Sequence, residues 1–146
     1  MIYFGIWRAT FPQHIEDYDL FSINTLVEGE PKFWYCIPPM YAHLLEKFVK
    51  SIVAKDKKLA RSYAKCNQLM RHKTFTISPE ILEKNGIPYS RIVQHKNETI
   101  ITTPYCYHGG FNTGFNVAEA RNFATQSWLP YGKTARVCFF LGLLKM

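Results

Sequence analysis

The sequence predicts a mainly β fold, a small β-sandwich or jelly roll that carries an inserted helical segment. Three observations predict it. Runs rich in aromatic and β-branched residues fill the first forty positions, apolar residues then recur at helical spacing, and strand-like runs return beyond residue 90. Strands on either side of a helical block fit two packed sheets with helices inserted between strands.

Residues 2–11 and 19–27 read as strands and residues 32–37 as a third, short one. Gly29, Glu30 and Pro31 turn the chain between the last two, and Pro38-Pro39 ends the strand run. Leu44, Leu45, Phe48, Val49 and Ile52 then line one face of a helix over 41–54, and a lysine-rich stretch over 55–65 continues as helix or loop. Ser78 as N-cap with Pro79 in the first turn starts a short helix that Asn85-Gly86 stops. Ile87-Pro88 leads into strands over 91–95 and 99–103, expected to pair as a hairpin turning at Lys96-Asn97. From Tyr107 the segment HGGFNTGFNVAEARNFA alternates small and aromatic residues, and 128–144 adds a turn and an apolar tail. With no internal repeat, low-complexity tract or linker, 146 residues suggest one domain.

Composition narrows the function classes. Apolar residues make up 47% and aromatic ones 16%, which excludes a disordered chain. No stretch approaches the roughly 18 uninterrupted apolar residues of a membrane-spanning helix, so no membrane partner is expected. The first ten residues lack the basic, apolar and small-residue zones of a signal peptide, so an intracellular protein is the expectation. The charge of +7 is spread along the chain, with a modest cluster at Lys55, Lys57, Lys58 and Arg61. A solvated helix face explains that cluster most simply; a chromatin partner is left open, and direct DNA contact is not indicated. Cysteines stand at 36, 66, 106 and 138 without a CxxC pair, so a disulfide framework is not expected.

The chemistry begins in TFPQHIEDYDL, where His14 and Glu16 stand two apart. In a strand, alternate side chains share a face, so the imidazole and the carboxylate would converge. A third ligand would complete the two-histidine, one-carboxylate triad of non-haem Fe(II) oxygenases, which leaves positions open for a 2-oxo acid and dioxygen. An HxE pair alone is also compatible with an exposed polar pair. His43, His72, His95 and His108 are the candidates for the third ligand. His43 belongs to the amphipathic helix, His95 adjoins the expected hairpin turn, and His72 follows Cys66 at a spacing that suits a different metal site. His108, in a glycine-rich strand end where backbone could approach a ligand closely, is the best of the four.

Four segments, YFGIWRATFPQHIEDYDLFSIN, GEPKFWYCIPP, LMRHKTFTISPEILEKNGIPY and TPYCYHGGFNTGFNVAEARNFA, together resemble the catalytic core of JmjC histone lysine demethylases. The nearest group is the JmjN–JmjC subfamily, which acts on tri- and dimethylated lysines of the histone H3 tail, and the likeness runs over residues 2–137. It implies the cupin-like double-stranded β-helix of JmjC domains, with His14, Glu16 and His108 as Fe(II) ligands. It also implies 2-oxoglutarate as cosubstrate, with Lys32 pairing with its distal carboxylate, Asn24 hydrogen-bonding it, and Phe11 and Trp34 walling it. Tyr3 and Asn122 match residues lining the methyl-lysine pocket, and Lys73 matches a catalytic lysine beside the iron, though a surface lysine is its plainer reading. Oxidation of an N-methyl group would release formaldehyde, succinate and CO2, on the histone H3 tail in chromatin and hence in the nucleus.

Three departures from the family pattern qualify that expectation. The family's JmjN segment and first catalytic strands have no counterpart, so residues 1–146 are expected to be a partial JmjC catalytic domain with an open sheet edge. Family members also hold a structural zinc with a Cys-x5-His and a Cys-x-Cys pair. Cys66, His72 and Cys138 match three of these ligands, but Phe140 stands at the fourth. Because structural zinc normally takes four protein ligands, a zinc held by three plus water is weighed against buried thiols at Cys66 and Cys138; Cys36 and Cys106 read as buried thiols. Finally, Ala120 and Arg121 replace small or hydroxylic residues of the methyl-lysine pocket, and an inward arginine would repel a methylammonium. A JmjC protein hydroxylase and a catalytically inactive chromatin-binding module are the alternative readings.

Overall fold

In a computed structural model that describes residues 1–64, 66 and 68–136, the chain forms two four-stranded antiparallel sheets. The first has the order β1 (Ile2–Gly5), β8 (Asn116–Phe123), β3 (Phe21–Gly29), β6 (Thr99–Thr102). The second has the order β2 (Thr10–His14), β7 (Tyr107–Asn112), β4 (Lys32–Ile37), β5 (Ser90–Gln94). The chain passes from one sheet to the other at almost every connection, which is the winding of a jelly roll. The expected fold class is the one observed.

Two strand expectations are corrected. The single strand expected over 2–11 is two strands in different sheets, because Arg8 at φ 60° breaks the extended backbone between them. The strands over 91–95 and 99–103 exist but form no hairpin: β5 pairs with β4 and β6 with β3. The chain crosses between sheets at His95–Glu98, where Gln94 donates from Nε2 to the carbonyls of Asn24 and Glu98 and the Leu26 N–H donates to Glu98. The bonds that reach Asn24 and Leu26 of β3 replace the ladder a hairpin would have made.

The helical segment sits between β4 and β5: α1 (Ala42–Lys55), α2 (Lys57–Ser62), a 3-10 turn over Leu69–His72, and α3 (Pro79–Lys84). Ala42, Leu45, Val49 and Val53 recur every three or four residues and are buried. With Ile37 and Tyr107 from the second sheet, and Leu69, Met70, Ile77 and Leu82, they form the main hydrophobic core. Ser78 is the N-cap residue of α3 as expected, yet its side chain makes no cap bond; Asn85 closes the helix and Gly86 follows at φ 62°. The return segment is clamped to β2, where Gln13 exchanges hydrogen bonds with the Ile77 backbone at 2.8 and 3.1 Å. This core backs the second sheet and leaves its other face to line a cavity. A short α4 (Leu129–Thr134) follows β8, and no helix among the described residues is long and apolar enough to cross a membrane.

Candidate metal centre

The cavity between the sheets has a volume of about 770 Å³ and is bounded by Phe11, His14, Lys32, Trp34 and His108 among others. A bulge decides which side chains of β2 reach it. Phe11 pairs with Gly110 and His14 with His108, so β2 spends one extra residue where β7 spends none. Phe11 and His14, three apart, therefore line the same cavity, which regular alternation would forbid. Glu16 lies just beyond the end of β2 but keeps an extended backbone, at φ −68° and ψ 154°, so it shares the cavity side with His14 while Ile15 between them is buried in the core.

His14, Glu16 and His108 offer ligand atoms that all lie within 4.8 Å of one another. Glu16 Oε1 is 3.2 Å from His108 Nε2 and 3.8 Å from His14 Nε2. Each imidazole is oriented from behind: Nδ1 of His14 contacts the Pro12 carbonyl at 2.8 Å and Nδ1 of His108 the Cys106 carbonyl at 3.0 Å. A carbonyl only accepts, so each Nδ1 carries a hydrogen and each Nε2 is the nitrogen turned toward Glu16. Burial, helped by the neighbouring His108, lowers the His14 pKa to about 4. Burial pushes the Glu16 carboxyl up, but His108, His14 and the Asn122 amide outweigh it and hold it at about 2. At neutral pH His14 is uncharged and Glu16 ionised, and with the His108 Nε2 they make a donor set that fits a divalent transition metal bound from one side, with the cavity side open.

The glycines beside His108 serve the packing of the sheet. A Cβ on Gly110 would lie 1.8 Å from the Phe33 carbonyl oxygen, and one on Gly109 2.8 Å from the Gln13 nitrogen. They let β7 fit between β2 and β4 by close approach to the neighbouring strands.

Lys32 is buried on the same wall. Its Nζ donates to Asn112 Oδ1 at 2.7 Å and lies 5.0 Å from the Phe11 ring centre, and burial lowers its pKa. Asn112 is held in turn by Asn116 Nδ2 at 3.1 Å and donates to the Ala9 carbonyl. Trp34 Nε1 donates to the buried Gln94, and the Phe11 and Trp34 rings meet edge to face at 4.8 Å. Asn24, Tyr3, Ala120, Asn122 and Lys73 also border the cavity, Lys73 at φ 53° just past the 3-10 turn. Asn122 Nδ2 donates to Glu16 Oε2 at 3.0 Å. Arg121 bounds the cavity too, but its guanidinium is exposed and pairs with Glu119 at 3.0 Å, on the neighbouring outward position of β8.

His43 is exposed on α1 and His95 is exposed at the sheet crossing, so neither joins the cluster. His72 Nε2 lies 3.1 Å from Cys66 Sγ, as the Cys-x5-His spacing suggests; Cys138 and Phe140 lie outside the described residues. Cys36 and Cys106 are half-buried and hydrogen-bonded to each other, with the Cys36 thiol pushed well up by Cys106 and by burial. Sequence reasoning missed Asn112, Gln94 and Arg71. The repeated Gly-Phe-Asn triplets at 110–112 and 114–116 were a signal for the asparagine pair; nothing local marked Gln94 or Arg71.

Two antiparallel sheets wound as a jelly roll, with two imidazoles and a carboxylate gathered on the cavity wall, define a cupin-like protein with a candidate metal centre. The family model described as "JmjC domain, hydroxylase" matches residues 1–123, and the chain belongs to the JmjC family. Among curated proteins it is 47% identical over 137 residues to probable lysine-specific demethylase 4F of Homo sapiens, covering 94% of this chain and 20% of that protein. It is also 47% identical to lysine-specific demethylase 4D of Rattus norvegicus and 50% identical to lysine-specific demethylase 4B of Mus musculus. Those matches again cover 94% of this chain, but 26% and 12% of the relatives. The chain thus spans between 12% and 26% of the length of these relatives.

Proposed function

We propose that residues 1–146 are part of the catalytic domain of an Fe(II)- and 2-oxoglutarate-dependent histone lysine demethylase, acting in the nucleus on methyl-lysine of the histone H3 tail. The observation that carries this reading is the convergence of His14, Glu16 and His108 on a cavity that also holds a buried lysine. The identity to lysine-specific demethylases supports the substrate class. His14 and His108 would hold the metal through Nε2, and Glu16 through the oxygen that faces them. When bound, Fe(II) with 2-oxoglutarate and dioxygen supplies the oxidation of an N-methyl group, which is lost as formaldehyde beside succinate and CO2.

The chain's own residues bind, orient and exclude water. Lys32 offers a positive charge from a low-dielectric site, where attraction for the distal carboxylate of 2-oxoglutarate is stronger than in water. Asn112 presets its position, so little side-chain freedom is lost on binding. Phe11 and Trp34 wall the cosubstrate, Asn24 supplies a hydrogen bond, and Lys73 adds positive charge at the metal side of the cavity. Tyr3, Ala120 and Asn122 would line the methyl-lysine, with Arg121 turned away to Glu119, which relieves the repulsion an inward guanidinium would cause. Zinc at Cys66, His72 and Cys138 is a further proposal, supported by the Cys66–His72 contact.

The description of the matching family as a hydroxylase favours a second reading, hydroxylation of a protein side chain. The full chain with Fe(II), 2-oxoglutarate and trimethylated H3-tail peptide is expected to release formaldehyde and succinate together. Succinate without formaldehyde from a hydroxylated peptide moves the assignment to the second reading, and no succinate in any arm defeats both.

A further inference from the structure

The sheet does not fix the position of Glu16. Glu16 lies past the end of β2, and two residues on, Tyr18 and Asp19 adopt φ values of 55° and 53°, a left-handed backbone that non-glycine residues rarely take. A turn of this kind persists only when its surroundings hold it. Trp128 Nε1 donates to the Tyr18 carbonyl at 3.0 Å and the Asp19 N–H to the Glu16 carbonyl at 3.1 Å. The buried side chain that reaches both Glu16 and Asp19 is Arg71, which comes from the 3-10 turn of the helical segment and is 6% exposed. Nη1 donates to the Glu16 carbonyl at 3.0 Å and Nη2 to Asp19 Oδ1 at 2.6 Å. The Asp19 side chain is itself only 4% exposed. One planar fork thus bridges the residue that bears the carboxylate and the strained residue three positions on.

We propose that Arg71 is a positioning residue for the metal-binding carboxylate: by tying the Glu16 carbonyl to Asp19 it fixes the Glu16 backbone, and with it the direction in which the side chain leaves toward His14 and His108. The inference rests on reading His14, Glu16 and His108 as a metal site. Glu16 is then restrained at both ends, its carbonyl by Arg71 and its Oε2 by Asn122, and Oε1 is left facing the imidazoles. Arg71 is not among the residues that bound the cavity. It couples the helical segment to the ligand set, and the same element presents Lys73 to the cavity two residues later. An ammonium at this position would reach one of the two partners but could not span both.

The test uses Mn2+ as a redox-stable probe, titrated into the full chain while the free ion is followed by electron paramagnetic resonance. Arg71→Lys is expected to weaken Mn2+ binding by about tenfold or more, in the range that follows loss of a group orienting a ligand. Because breaking a buried pair can unfold a protein, the paired variant Asp19→Leu/Arg71→Met is measured beside it. Apolar replacement of both charges commonly keeps stability near the parent, and the melting temperature of the metal-free variant checks that. We expect this variant to melt near the wild type and still bind Mn2+ about tenfold or more weakly. If it regains wild-type Mn2+ affinity along with stability, Arg71 serves only the fold and the inference is overturned. Failure of the wild-type chain itself to bind Mn2+ would overturn the metal-site reading, and the inference with it.

Discussion

At the scale of single residues, the cluster is prepared for a metal by its protonation. The Pro12 carbonyl holds the Nδ1 hydrogen of His14, and burial beside His108 makes a second proton costly, so the ring stays neutral down to about pH 4. In the metal-free protein, an imidazole resonance titrating near pH 4 and absent from His14→Ala is therefore expected by NMR. A titration of that resonance at the ordinary value of 6.5 would contradict the burial argument. The linked effect on stability has a definite sign. The unfolded chain takes up this proton near 6.5 and the folded chain only near 4, so His14 lowers stability as pH falls between those values. The loss from this residue is roughly 3 kcal/mol, complete below pH 4. Glu16 extends the trend: its depressed carboxyl contributes stability above about 4.5 that is lost as pH falls toward about 2.

At the scale of elements, the crowding around β7 explains why His108 can stand where it does. β7 lies between β2 and β4, and the missing side chain of Gly110 leaves room for the Phe33 carbonyl, with the Phe11 ring close by. Gly110→Ala is expected to cost at least about 3 kcal/mol in denaturant unfolding, at the upper end of overpacking penalties, because backbone must move. Gly86→Ala meets nothing within 4 Å and carries only the left-handed cost of about 1–2 kcal/mol. Equal losses would mean that β7 can shift freely. The strands and the amphipathic helix over 41–54 were legible because alternation and the 3.6-residue period are local signals. Partnership was not. The four residues between β5 and β6 have the length and composition of a hairpin, and only the distant bonds of Gln94, Leu26 and Asn24 send the two strands to different sheets. His14 and Glu16 were legible as a pair because an extended backbone carries the alternation one step past β2; the bulge that also turns Phe11 to the cavity was not visible in the spacing. Arg71 was illegible because its role exists only once the helical segment has docked against residues 16–19.

At the scale of the whole molecule, the proposed ligands belong to segments far apart in sequence, so a bound metal pins the end of β2, the turn after it and the start of β7 as one unit. An unfolded chain has no such site, and metal binding should therefore appear as folding stability. With Mn2+ at a hundred times its dissociation constant, the gain is about 2.7 kcal/mol. For a chain of this size that raises the melting temperature by roughly 5–10 °C, in proportion to the logarithm of concentration once the site saturates. His14→Ala and Glu16→Ala should abolish the rise. His43→Ala, altering an exposed imidazole on α1 outside the cluster, should keep it in full. A rise that survives in Glu16→Ala would locate the stabilising metal elsewhere, with the Cys66–His72 pair the first place to look. A Cys66→Ala variant separates the two sites further, because it removes the thiolate of the second site and leaves the triad intact. Stabilisation by Mn2+ that persists in Cys66→Ala and is absent from His14→Ala assigns the effect to the triad.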